Sequence, residues 1–165
     1  MNRPTAQSII TRALAFASTL VFSLVLVSGL PNVKRQRQQY FAQAAMDGSV
    51  ARMRLLHLIG ARVNSRADCC TPLFLAAGQG RIAAARYLLS EGADVNAREK
   101  LGDTALTEAV FYGQFAMAKE LLLQGADVTA LGDRGTALDI AVEKKNADLA
   151  NLLEHYGGKR ANQLR

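Results

Sequence analysis

The chain repeats itself, and a short repeat leaves few folds open. Gly48, Gly80 and Gly113 recur at intervals of 32 and 33 residues, and Gly60, Gly92, Gly125 and Gly157 at 32, 33 and 32. Three segments align through these glycines: TPLFLAAGQGRIAAARYLLSEGADVNA from Thr71, TALTEAVFYGQFAMAKELLLQGADVTA from Thr104 and TALDIAVEKKNADLANLLEHYG from Thr136. A weaker copy, QYFAQAAMDGSVARMRLLHLIGARVNS, begins at Gln39. A unit this short cannot bury its own apolar face, so neighbours must stack.

Each copy reads as helix, turn, helix, hairpin. Thr71, Thr104 and Thr136 stand just before apolar runs, where a hydroxyl can satisfy the free amides of a helix start. Pro72 follows Thr71 at the first helical position, where its missing N–H costs nothing. Gly80 and Gly113 suit the left-handed residue that closes a first, short helix. Ala118, Leu121 and Leu122 give a second helix its apolar face, and Gly92 and Gly125 end that helix in two of the copies. Asp94 and Asp127 then mark an extended turn, one arm of a hairpin. Half the residues are apolar, yet Trp is absent and only 6% are aromatic, so the core is built from Ala, Leu, Val and Ile. Small side chains let helix backbones approach closely.

The chain here resembles the ankyrin repeat family, over about Gln36 to Tyr156. The matching elements are Thr71-Pro72-Leu73, Ala76-Ala77, Leu88-Leu89 and Gly92-Ala93-Asp94-Val95-Asn96-Ala97. The resemblance implies an all-α solenoid of about four helix-turn-helix-hairpin units, here preceded by one N-terminal hydrophobic helix. It also implies a protein-binding module without cofactor or metal. The family signature has His after the Leu of its opening motif, a structural residue. This chain has Phe74, Thr107 and Asp139 instead, and the expectation is a loss of stability. Two connections, Gly60 to Thr71 and Gly125 to Thr136, are one residue shorter than Gly92 to Thr104. They put Cys69 and Arg134 near the usual glycine position, which predicts altered hairpins there.

In this family partners contact the hairpin tips and the concave face of the first helices. Carried onto this chain, that points to Lys100, Leu101 and Asp103 at one hairpin. It also points to Phe111 and Tyr112 at the end of a first helix, and to Gln79 and Lys144 beside the equivalent place in neighbouring units. Asp68, Cys70, Asp133 and Arg134 mark the flanking hairpins. Two adjacent aromatics on a helix cannot both face the core, so one of Phe111 and Tyr112 is expected to be exposed. An exposed aromatic is a typical binding anchor.

The end units depart from the pattern as caps do. The first carries Arg52, Arg54 and His57. The last has Lys145 where the others have Gly, and a polar second helix with Asp148, Asn151 and Glu154. The tail from Gly157 is polar, and fraying is expected there.

Ahead of the repeats, Ala13 to Leu30 is an eighteen-residue run without a charge. As a helix it spans about 27 Å, close to the hydrocarbon thickness of a bilayer. A cleaved signal peptide and a retained anchor compete. Arg3 and Arg12 supply a basic start, and Val27-Ser28-Gly29 a small-residue cleavage site. The run is longer than most signal cores, and Lys34, Arg35 and Arg37 would begin the exported chain. Both facts fit a single-pass membrane anchor. The alternative is a periplasmic or secreted protein acting as an accessory or protective factor for another protein. The expected order is a basic tail 1–12, the anchor or signal 13–30 and a basic linker 31–38. The repeat domain follows at 39–157, with units at about 36–66, 67–99, 100–131 and 132–157, and then a tail 158–165.

The net charge of +6 does not point to nucleic acid. From Gln38 onward fifteen Lys or Arg face fourteen Asp or Glu, so the excess flanks the apolar run. Nor is a catalytic constellation expected. His57 and His155 fall in the first and last units, and no Gly-x-Ser-x-Gly, His-Glu-x-x-His or phosphate loop occurs. Cys69 and Cys70 are adjacent, without further ligands at metal spacing. Another protein is the expected partner, with no nucleic acid and no small-molecule substrate.

Overall fold

A computed structural model describes residues 31–67 and 70–164. The expected basic tail 1–12 and hydrophobic segment 13–30 lie outside the described residues, as do Asp68 and Cys69. The chain divides into two units, residues 1–36 and 37–165, and the repeats occupy the second.

The described residues form eight α-helices and one 3-10 turn, with no strand. They are α1 Pro31–Asp47, α2 Val50–Leu58, α3 Pro72–Gly78, α4 Ile82–Ser90, α5 Ala105–Phe111, α6 Phe115–Leu123, α7 Ala137–Glu143 and α8 Ala147–His155. The 3-10 turn is Ala161–Gln163. First helices α3, α5 and α7 lie side by side, and second helices α2, α4, α6 and α8 form a parallel layer behind them. None of the described helices is long and apolar enough to cross a membrane.

Residues 31–38, expected as a linker, are the start of α1. Pro31 suits the first turn, and the Lys, Arg, Gln and Ala that follow are strong helix formers. Gln38 is buried and fixes the first repeat: its Nε2 donates to the Arg62 and Ser65 carbonyls (2.8 and 3.1 Å), and its Oε1 accepts from the Arg62 amide (3.0 Å).

The three threonines cap their helices. Thr71 accepts from the Phe74 amide, Thr104 from Thr107 and Thr136 from Asp139. At the last two the third residue returns the favour. Thr107 Oγ1 accepts the Thr104 amide (2.9 Å), and Asp139 Oδ2 the Thr136 amide (3.1 Å). The residues that replaced the family's His therefore do capping work of their own, which offsets the expected loss. Phe74 has no polar atom to offer. There Glu99, from the hairpin that follows, accepts both the Thr71 amide (2.9 Å) and its hydroxyl (2.8 Å).

Every first helix ends alike. Ala44, Ala76, Ala109 and Ala141 are fully buried, and their carbonyls accept the amides of Ser49, Arg81, Gln114 and Asn146 at 2.8–3.0 Å. That bond needs a left-handed residue between. Gly113 supplies one at φ 69°; in the last unit Lys145 must do so, at φ 55°. Lys145→Gly should therefore stabilise the fold by about 1 kcal/mol, the left-handed strain of a side chain less the extra chain entropy of glycine. A thermal melt of the full chain in mild detergent should move up by about 2–4 °C. An unchanged or lower midpoint would refute the strain.

One core runs through all four units, from Phe41, Ala45 and Met53 through Leu88, Leu106 and Leu121 to Leu149 and Leu153. Its small residues, Ala76, Ala84, Ala109 and Ala118 among them, are fully buried, as the composition implied. The polar tail does not hang free. Asp139 takes the Ala161 amide (2.9 Å) and the Arg160 Nε (3.1 Å), folding 158–164 back onto the last unit. A carboxylate in the first turn of α7 is a stronger tether than the composition of the tail suggested.

Two carboxylates make this fold acid-sensitive. Hydrogen bonding from Arg86 (2.7 Å) holds Glu120 below its ordinary range against the opposing effect of burial, with Gln124 adding to it. Burial pushes Asp139 up, but the Ala161 and Thr136 amides, the Thr136 hydroxyl and Arg160 outweigh it. A depressed folded pKa gives stability above the unfolded value that is lost as pH falls through the folded one. The urea midpoint should thus decline below about pH 4, the ordinary carboxylate range. Glu120→Gln and Asp139→Asn should each flatten that acid limb. An unaltered limb in both variants would assign the acid loss elsewhere.

Candidate functional site

The hairpins decide which side chains meet beside the first helices. In the two short connections an isolated antiparallel bridge closes the turn, Ala67 with Cys70 and Gly132 with Gly135. In the longer one the Glu99 amide donates to the Asp103 carbonyl (2.8 Å), around left-handed Gly102. In the short turn before Thr136 the left-handed residue is Gly135, one position later, which frees Arg134 to point inward. The expected change of hairpin shape thus has a definite form.

Side chains zip one hairpin to the next. Asn64 donates to the Gly92 carbonyl and accepts the Asp94 amide (both 2.9 Å). Asn96 repeats this with Gly125 (3.3 Å) and Asp127 (2.7 Å). Arg66 reaches the Arg98 carbonyl, and Arg98 the Leu131 carbonyl. The ladder stops at Thr129, whose hydroxyl turns to Asp127 (2.7 Å).

Between the hairpins and the first helices lies a groove of about 620 Å3, lined by Cys70, Phe74, Glu99, Lys100, Leu101, Asp103, Glu108 and Arg134. Arg134 organises it. Its Nε donates to Asp103 Oδ2 (3.0 Å) and its Nη2 to Glu108 Oε2 (2.6 Å). Burial works against its charge, and the two carboxylates more than compensate, so it stays firmly protonated. Its guanidinium also lies over the Phe111 ring, Cζ 4.4 Å from the centroid, and Lys144 Nζ lies over the same ring at 3.9 Å. Tyr112 meets Phe111 edge to face at 5.2 Å.

The structure sorts the residues that the sequence singled out. Phe111, Tyr112, Arg134, Lys144 and Asp103 form one cluster. Phe111 is half-buried beneath two cations, whereas Tyr112 is 55% exposed. Lys100 and Leu101 sit exposed at the groove lip, Leu101 at 65%. Gln79 is exposed at the end of α3, and its neighbour Gly78 packs beside Glu108 and Tyr112. Asp103 is buried in the groove wall and its Oδ2 accepts from Arg134, so it supports the site from beneath. Cys70 is half-buried in the groove wall, and Asp133 is exposed on the adjoining turn. Sequence reading did not mark Glu99 or Glu108, and marked Phe74 only as standing in the place of the family's His. Glu108 four residues after the cap Thr104 was the one available signal, since that spacing faces the groove edge of a first helix. His57 packs against Phe41 and Tyr87, and His155 against Tyr156.

A family model for ankyrin repeats, in three copies, matches residues 41–132. The chain belongs to the ankyrin repeat family. No curated protein matches it. Ankyrin repeats are in general protein–protein interaction modules, and typically non-catalytic ones. The matched stretch includes every residue that lines the groove except Arg134. The fourth unit, α7 with α8, lies past the match yet repeats the same caps and core contacts.

Proposed function

We propose that this ankyrin stack binds a partner protein through the rim of the groove, without catalysis, while residues 13–30 hold it at a membrane. One observation carries the binding surface. Tyr112 projects from the end of α5 on a rigid base, because Phe111 beneath it is held by Arg134 and Lys144. An exposed ring that is already immobilised loses little freedom on binding. Leu101 and Lys100 at the lip and Gln79 on the neighbouring unit complete a surface of aromatic, apolar and polar contacts. The uncharged run and its basic flanks support the anchor. The small residues Val27-Ser28-Gly29 favour the second reading, an exported accessory factor.

A photo-crosslinking residue at Tyr112 in the full chain should give one discrete adduct in cells, and the same residue at exposed Glu154 should not. Leu101→Glu should remove the adduct. Equal labelling at both positions would overturn the surface. The mass of the mature protein separates the two locations: full length in carbonate-washed membranes supports the anchor, and loss of about the first 29 residues supports export.

A further inference from the structure

We infer that the partner, on the reading that it covers the groove rim, also sets one apolar side chain into the groove itself, on the ring of Phe74. Thr107 and Asp139, the counterparts of Phe74, each serve their own helix start, accepting the Thr104 amide (2.9 Å) and the Thr136 amide (3.1 Å). A phenyl ring cannot do this, and in its unit Glu99 must reach the Thr71 amide from 28 residues away. Nor does the ring join the core. Phe74 is buried, yet it lies apart from the apolar cluster that runs through the four units, and it lines the groove instead. A residue that gives up a local cap without joining the core is of the kind expected at a functional position.

The charges of the wall select a neutral occupant. Glu99 is paired with Arg66 (3.1 Å), and Asp103 and Glu108 share Arg134 (3.0 and 2.6 Å). Lys144, over the same Phe111 ring as Arg134, offsets the second carboxylate of that pair. Lys100 is exposed at the lip, where its ammonium stays in water. Asp103 Oδ1 makes no hydrogen bond, but it is shut off from solvent and turned onto Gly132, where a side chain at that glycine would stand. An ion entering the groove would lose water and meet charges that are already balanced, at a large cost. An apolar side chain has no such loss. It gains contact with Phe74 and with Leu101, which is 65% exposed. The groove, about 620 Å3, has room for a Leu, Met or Phe side chain and lies within the range of ligand sites, about 300–1,000 Å3.

The test fixes probes at the lip and then fills the groove. Lys100→Cys is made in a chain with Cys69→Ala and Cys70→Ala, held full length in lipid nanodiscs. The introduced thiolate attacks probe disulfides of one linker length, and the other half of each leaves as a thiol. The probes end in isobutyl, benzyl, ammonium or carboxylate groups and compete under excess mercaptoethanol. By intact mass the isobutyl and benzyl probes should be retained several-fold over the charged ones, and Glu154→Cys should show no such preference. Equal retention of the charged probes would overturn the inference. In cells, Cys70→Leu or Cys70→Trp fills the groove from its wall and should remove most of the adduct from a photo-crosslinking residue at Tyr112, with the far-UV spectrum unchanged. An adduct that survives both substitutions would mean that the partner seats on the rim and leaves the groove empty; the inference then falls and the rim reading stands. If the unfilled chain gives no adduct, the rim reading falls. Apolar probes retained there would then assign the groove to a small apolar molecule, which also overturns a partner side chain.

Discussion

Arg134→Met should destabilise the repeats by about 2–4 kcal/mol at neutral pH, somewhat below the value of about 3–5 kcal/mol for breaking a fully buried pair by removing one partner. The Arg134 side chain is 29% exposed, while Asp103 and Glu108 are 7% and 14% exposed in their side chains. Met keeps much of the stem but loses the guanidinium that lies over Phe111. Two carboxylates then share a groove wall without the cation that bridged them. The loss is measured as urea midpoints of the full chain in mild detergent. A loss under about 1 kcal/mol would show that the pair contributes no more than an exposed ion pair does. Loss of crosslinking from Tyr112 at a temperature where Arg134→Met is still folded would show that this same pair props the binding surface.

How much of this was legible in the sequence depends on the range of the interaction. What recurs every 32 or 33 residues was legible: the threonine caps, the left-handed closures, the buried Ala of each first helix and the odd Lys145. These are local, and each is set by backbone geometry within a few residues. The shortened hairpins announced themselves by count alone, and the shift of the left-handed residue to Gly135 is what that count does. What joins different units was not legible. Glu99 acts on a threonine 28 residues earlier, and Arg134 on Asp103 and Glu108, 31 and 26 residues away. Nothing in the local pattern separates a carboxylate that caps a distant helix from one that faces water. Asp103 read as a surface contact for that reason, and the tail read as loose because its tether, Asp139, looked like a residue in the place of a missing His. The start of α1 was hidden by charge: a run of Lys, Arg and Gln reads as a linker by polarity but as a helix by propensity.

Glu99→Ala should cost about 2–4 kcal/mol, and its coupling to Phe74 should reveal why. The carboxylate is buried and is the acceptor for the Thr71 amide and hydroxyl, and it also pairs with Arg66 (3.1 Å). Its removal strands a buried amide at a helix start, a desolvation loss of about 1–3 kcal/mol, besides the lost charge-assisted bonds. In the third and fourth units the same amide is served from within the helix, by Thr107 and Asp139. Phe74→Thr recreates that arrangement. In the parent it should simply destabilise, because a buried ring is lost and Thr71 already has its acceptor. In the Glu99→Ala background the new hydroxyl has an orphan amide to serve. The second substitution should then cost about 1 kcal/mol less than in the parent, a coupling well above the noise of a double-mutant cycle. Strict additivity would mean that water serves the Thr71 amide once Glu99 is gone. Glu99 would then matter for its pair with Arg66 and the zip between hairpins, and Arg66→Ala, not Phe74→Thr, would be the substitution that couples to it.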